Sequence, residues 1–254
     1  MSRNEVPMNA TYFREYGLHP VKQAQGSGQD YIASFPDWEQ TIDALKTDMP
    51  KKGNIITPEY ITAPGELSDI RDDIGVISDR VREALDATRR SDATLYLGTP
   101  TMAKFPDGQT RVRNSVHTIH KGAIESTVHK TTLVPAEREF INTPEHDART
   151  INRGNAVLIC AELYAYCMQK DHSLQGKDVK QIFAPTAWAH PNDPSSNQIS
   201  VERAGGEDAY YRQQLEVAVG SYLLHDLPSV QRVVISDRGL SNLAPYNAVF
   251  DRVK

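Results

Sequence analysis

The chain has 254 residues, 39% of them apolar, enough to bury a sizeable core within one domain. A net charge of -5 and a pI near 5.9, with no basic block, exclude a phosphate-backbone partner and with it nucleic acid. No run of about 18 uncharged apolar residues occurs, and the opening MSRNEVPMNATYFREYG lacks the apolar centre of a signal peptide, so a cytoplasmic protein with no membrane partner is expected.

In chain order, the first twenty or so residues are polar and read as an irregular extension before the fold proper, followed by a short strand over 21–25. A Gly/Ser turn leads to a helix over about 36–46 with Trp38, Ile42 and Leu45 on one face. The run 53–57 is a short buried strand ended by Pro58, and 73–90 is a helix with Ile74, Ile77, Val81, Ala84 and Leu85 on one stripe. A strand follows over 93–98. Between 102 and 133, turn signals at Pro106-Asp107-Gly108 and Lys121-Gly122 separate three alternating, β-branched stretches, which predicts a β-meander. Beyond it lie strands over 155–160 and 180–184, a polar loop over 190–206, a helix over 208–224 and a strand over 231–236. Alternating helices and strands with neither repeat nor linker predict α/β layering in a single domain, 1–254.

Two cysteines, Cys160 and Cys167, are too few for a disulfide scaffold and fit a reducing compartment. They form no Cys-x-x-Cys pair, and His117 and His120 would point to opposite faces of a strand, so neither a metal nor a cofactor is called for. Cys167, in Leu-Tyr-Ala-Tyr-Cys-Met, reads as packing on a helix.

Three ionisable residues stand at or just after strand ends, where a sheet protein presents chemistry: Glu59 after NIITP, Lys130 closing AIESTVH and Cys160 closing NAVLI. Singly, each reads more simply as a loop carboxylate, a surface amine and a packed thiol. Jointly they resemble the nitrilase, or carbon-nitrogen hydrolase, superfamily, whose members carry a Glu-Lys-Cys triad in this order. The resemblance rests on Thr57-Pro-Glu-Tyr60 with Pro64-Gly65, on Arg113-Asn-Ser115 followed by a Gly turn and His129-Lys-Thr-Thr-Leu-Val-Pro135, on Leu158-Ile-Cys-Ala-Glu162, and on Ala184-Pro-Thr-Ala-Trp188.

That resemblance implies an α-β-β-α sandwich of two packed sheets with helices outside, a homodimer built through helices and a C-terminal tail, and attack by Cys160 on an amide, carbamoyl or nitrile carbon. Such a carbon is a poor electrophile, so dividing hydrolysis into thiol attack and water attack lowers each barrier once the thiol is activated. Glu59 would be the general base and Lys130 the cation that stabilises the developing negative charge, helped by the backbone N–H after Cys160. The family's second glutamate has two candidates, Glu137, seven residues beyond Lys130, and Glu139, nine beyond, and Glu137 has the better spacing. Glu162 would orient the nucleophile loop or pair with a basic neighbour, and Tyr60 and Trp188 would wall the substrate pocket. Ala161 stands where the family often has an aromatic residue, which opens space beside the nucleophile. The helix over 210–224 lacks the family's Arg-Ala-x-x-Asn signature, so the last third resembles it less closely. An acyl transferase using the same thioester, and a non-catalytic ligand-binding scaffold, are the alternative readings.

Overall fold

The computed structural model describes residues 6–23, 28–65, 67–105, 107–143, 151–163, 173–187, 202–238 and 245–253. Its first three strands are β1 (Met8–Phe13), β2 (Gly17–Lys22) and β3 (Gln29–Ser34), followed by α1 (Trp38–Thr47), β4 (Lys52–Ile56) and α2 (Ile74–Thr88). A meander of β5 (Asp92–Lys104), β6 (Thr110–His120) and β7 (Ala123–His129) comes next, then β8 (Asn155–Val157), β9 (Gln181–Thr186), α3 (Glu207–Glu216), β10 (Arg232–Asp237) and β11 (Asn247–Arg252).

These strands form two mixed sheets, ordered β2-β3-β4-β5-β6-β7 and β1-β11-β10-β9-β8. Between them lies an apolar layer in which Ile32, Ile56, Tyr96, Val116 and Val128 of the first sheet meet Val157, Ile159, Phe183, Val234 and Val249 of the second. Outside the first sheet, Trp38, Ile42 and Leu45 of α1 and Ala84 of α2 pack on Ile55, Leu95 and Leu97. Outside the second, Leu215 of α3, with Val219, Leu223 and Leu224 beyond it, packs on Ala156, Ile182, Val233 and Ala248. The architecture is thus the four-layer α-β-β-α sandwich, and the apolar stripes expected of α1 and α2 are the faces they bury. Asp37 caps α1, its carboxylate accepting the Gln40 N–H at 2.8 Å.

The structure differs from the sequence reading at three places. Residues 8–22 are not an irregular extension: β1 runs antiparallel to β11 at the edge of one sheet, and β2 runs antiparallel to β3 at the edge of the other. Edge strands stay half exposed, so neither shows the apolar alternation by which strands are recognised. Strands β3 and β11 add to the predicted set. The helix over 208–224 is α-helical only at first, since Val217–Leu223 is wound as a π-helix before a last turn, Leu224–Asp226. Cys167, Trp188 and most of the 190–206 loop lie outside the described residues. No helix among the described residues is long and apolar enough to cross a membrane.

Candidate active site

Glu59, Lys130 and Cys160 come from three separate strand ends and meet between the sheets. Pairing of β4 with β5 runs one residue past β4, where Thr57 N–H donates to Tyr96 O at 3.0 Å and Thr57 Oγ1 accepts the Gly98 N–H at 3.0 Å. Gly98 is required there, because a Cβ at that position would stand 2.1 Å from Pro58 O. The chain can therefore fold down over β5, Glu59 N–H reaches Thr186 O at the end of β9 (3.3 Å), and Tyr60, at φ 56°, turns the backbone away.

Lys130 extends the β6–β7 ladder by one rung, donating its N–H to Asn114 O at 2.8 Å. At Cys160 the β8–β9 pairing also outlasts the strand: Leu158 N–H donates to Phe183 O (3.0 Å) and Cys160 N–H to Pro185 O (2.9 Å). Cys160 then takes φ 47°, a left-handed conformation that L-residues rarely adopt, and Leu163 N–H closes a helical turn on Cys160 O at 3.0 Å. Such strain concentrates at functional positions. The next residue, half-buried Ala161, opens that turn, so its N–H is among the donors that a helix start leaves without an intrahelical partner.

The side chains form one buried cluster, with Glu59 2%, Lys130 1%, Glu137 3% and Asn114 1% exposed. Lys130 Nζ donates to Glu59 Oε1 at 2.7 Å and to Glu137 Oε1 at 2.8 Å. Glu137 Oε1 also accepts from Tyr60 Oη (2.5 Å) and Asn114 Nδ2 (3.2 Å), while its Oε2 accepts the Val134 N–H at 3.0 Å. Asn114 Nδ2 donates to Glu59 Oε1 as well. Of the two candidate second glutamates, Glu137 is thus the one at the lysine, held by the short 3-10 turn Pro135–Glu137, and Glu139 is exposed.

Burial raises Glu59 above the ordinary carboxylate range; Lys130 and the hydrogen bonds pull it down, and Glu137 pushes it further up. Burial opposes the charge on Lys130, but Glu59, Cys160 and Glu137 outweigh it, and the ammonium is held well above its usual range. Burial and the two carboxylates keep Cys160 a neutral thiol at rest, while Lys130 and a hydrogen bond from the Ala187 backbone favour the thiolate. Ionising Cys160 therefore needs a base that takes its proton, and Glu59 is the candidate at hand.

Glu162 ties the loop after Lys130 to the nucleophile strand. Fully buried, it accepts the Thr131 N–H (2.6 Å) and hydroxyl (2.8 Å) on Oε1 and the Ile159 N–H (2.7 Å) on Oε2, so one carboxylate ties the residue after Lys130 to the residue before Cys160. Tyr60 stands buried in the cluster as a donor to Glu137. Asn114 stands in the sequence only as the middle of Arg113-Asn-Ser115, with no role of its own. Its signal was available, since alternation along β6 puts it on the same face as core residue Val116 and the β6–β7 register sets it beside Lys130. A hollow of about 630 Å³ lined by Lys46, Met49, Arg89 and Arg90 lies at the C-terminal ends of α1 and α2, far from this chemistry.

Two packed mixed sheets between helix layers are the nitrilase-like, or carbon-nitrogen hydrolase, fold. Solved structures with this fold match the chain. A carbon-nitrogen hydrolase from Helicobacter pylori G27 superposes with a TM-score of 0.56 at 10% identity, over 86% of this chain and 78% of that one. An amidase from Nesterenkonia sp. superposes at 0.53 and 11%, over 99% and 91%. A mutant of that amidase, at 0.55 and 10% over 98% and 91%, carries the acetamide moiety of fluoroacetamide on its active-site cysteine. No protein-family model matches the chain, and no curated protein matches it.

Proposed function

We propose that this chain is a thiol-dependent hydrolase that cleaves the carbon-nitrogen bond of an amide, carbamoyl compound or nitrile through a covalent acyl or thioimidate intermediate on Cys160. The observation that carries this reading is the buried cluster in which one ammonium, Lys130, bridges two carboxylates within electrostatic reach of a thiol at a strained turn. The covalent adducts on the active-site cysteine of the similarly folded amidase support it.

For an amide, Glu59 takes the Cys160 proton as Sγ bonds to the carbonyl carbon, and the oxyanion that forms is met by Lys130 and the Ala161 N–H. Glu59 returns the proton to the nitrogen as the carbon-nitrogen bond breaks, leaving a thioester. Water then attacks, giving its proton to Glu59 and freeing the acid and the thiol. A neutral resting thiol suits this route, because thiolate arises only as the bond forms.

The test is ammonia release from a panel of small amides and nitriles, with intact-mass detection of the acyl-enzyme. Cys160→Ala is expected to lose activity by on the order of 10⁴-fold or more, and Glu59→Gln to lose turnover while retaining bound substrate. Ammonia release by Cys160→Ala at the wild-type rate would overturn the proposal.

A further inference from the structure

The three-residue reading leaves unexplained how two buried carboxylates sharing one lysine come to differ in role. Four donors converge on Glu137, from Tyr60, Asn114, Lys130 and Val134, and they engage both of its oxygens. Glu59 is engaged on Oε1 alone, by Lys130 and Asn114, and its Oε2 accepts no hydrogen bond among the described residues. Among the described residues, the Asn114 amide is the group besides Lys130 that hydrogen-bonds to both carboxylates, its two N–H bonds divided between them. Those two acceptors fix the amide's orientation, since turned over the carbonyl would face two carboxylate oxygens, and its Oδ1 is buried with no partner among the described residues.

We propose that Asn114 is a positioning residue of this reaction, which pins Glu59 Oε1 beside Lys130, holds Glu137 apart from it, and so leaves Glu59 Oε2 as the oxygen that receives the Cys160 proton. This rests on the function proposed above. Lys130 gives one proton to each carboxylate and keeps its third for the substrate oxyanion, a division that holds only while the carboxylates stay in place. The charged and titratable groups facing Glu59 are Lys130, Glu137, Tyr60 and Cys160. Without the Asn114 donor the ionised form of Glu59 loses a hydrogen bond, so the base protonates at higher pH.

Alkylation of Cys160 by iodoacetamide reads this out without a known substrate. Glu59 takes the proton, Sγ bonds to the methylene carbon, and the carbon-iodine bond breaks with its electron pair leaving as iodide. Rates would be measured by peptide mapping from pH 5 to 9 for wild type, Asn114→Ala, Asn114→Ser and Glu59→Gln, each checked by circular dichroism. Asn114→Ala is expected to slow labelling by about 100-fold at neutral pH and to move the acid limb upward. Asn114→Ser, with one donor, is expected to lie between, and it serves alone where the alanine variant does not fold. Wild-type rates and an unshifted limb in a folded Asn114 variant, with Glu59→Gln still slow, would overturn this inference alone. A Glu59→Gln protein that labels like wild type would instead overturn the base role and the proposed function.

Discussion

Lys130 can stay charged inside the sandwich only because two carboxylates meet it, and both carboxylates can stay near each other only because it stands between them. The two carboxylates share one ammonium, and of the two Glu59 has the fewer hydrogen-bond donors. Its raised carboxyl places the acid limb of activity above the ordinary carboxylate range, since a base works only when deprotonated. Glu137 contributes to that rise through like charge. Replacing it by glutamine is therefore expected to move the acid limb of Cys160 labelling to lower pH, opposite to the shift from Asn114→Ala, while turnover falls because Lys130 loses a partner. Labelling rates against pH for Glu137→Gln check the sign. Two glutamates two residues apart in the chain differ entirely in use: Glu137 is buried on the lysine, and Glu139 faces water.

At the scale of elements, the β5–β6–β7 meander carries both Asn114 and Lys130, so its register sets the site. On its other face the same register places a polar set, in which His117 Nδ1 shares a hydrogen bond with Thr127 at 2.8 Å and Ser115 Oγ one with His129 at 2.8 Å. Burial, and then the charge of His129, push His117 down to about 4. The sign follows directly: below an unfolded value near 6.5, the unfolded chain takes up a proton that folded His117 refuses, so stability falls as pH drops from about 6.5 toward 4. This contributes about 2 kcal/mol at pH 4.5. Urea unfolding of His117→Asn at pH 7 and 4.5 is expected to show a correspondingly smaller acid loss than wild type. The N-terminal segment matters at this scale too, because β1 closes one sheet and β2 the other, and Tyr12 reaches from β1 to Glu216 of α3 at 2.8 Å.

Across the whole molecule, the parallel strands have chemistry at one end and a structural tie at the other. Beyond the C-terminal ends of β4 and β8 stand Glu59 and Cys160. Toward the N-terminal ends, Asp30 on β3, 1% exposed, accepts from Gln23 (2.9 Å) and from the Asn54 N–H (3.1 Å) and amide (2.9 Å) on Oδ1. Its Oδ2 accepts from Gln181 of β9 at 2.9 Å, which joins the two sheets through one carboxylate. Asp30→Ala would leave these half-buried amides without their acceptor and is expected to cost about 2 kcal/mol in urea unfolding. Iodoacetamide labelling of Cys160 in that variant should stay near wild type well below its melting temperature, since the Lys130 cluster is built at the opposite end.

Local chemistry made much of this protein legible in its sequence. Apolar periodicity marks α1 and α2, Lys121-Gly122 marks the β6–β7 turn, and the buried runs at β4 and β8 end on the acid and the thiol, because each of these signals is carried by neighbouring residues. The tertiary structure alone decided what depends on distant partners. Strands β1, β2 and β11 owe their form to the strands beside them, the choice of Glu137 over Glu139 depends on which one a turn aims at Lys130, and Asn114 has meaning only where two carboxylates arrive from other elements. Glu59 and Lys130 stand 71 positions apart in the chain, and only the packing of two sheets makes them one site.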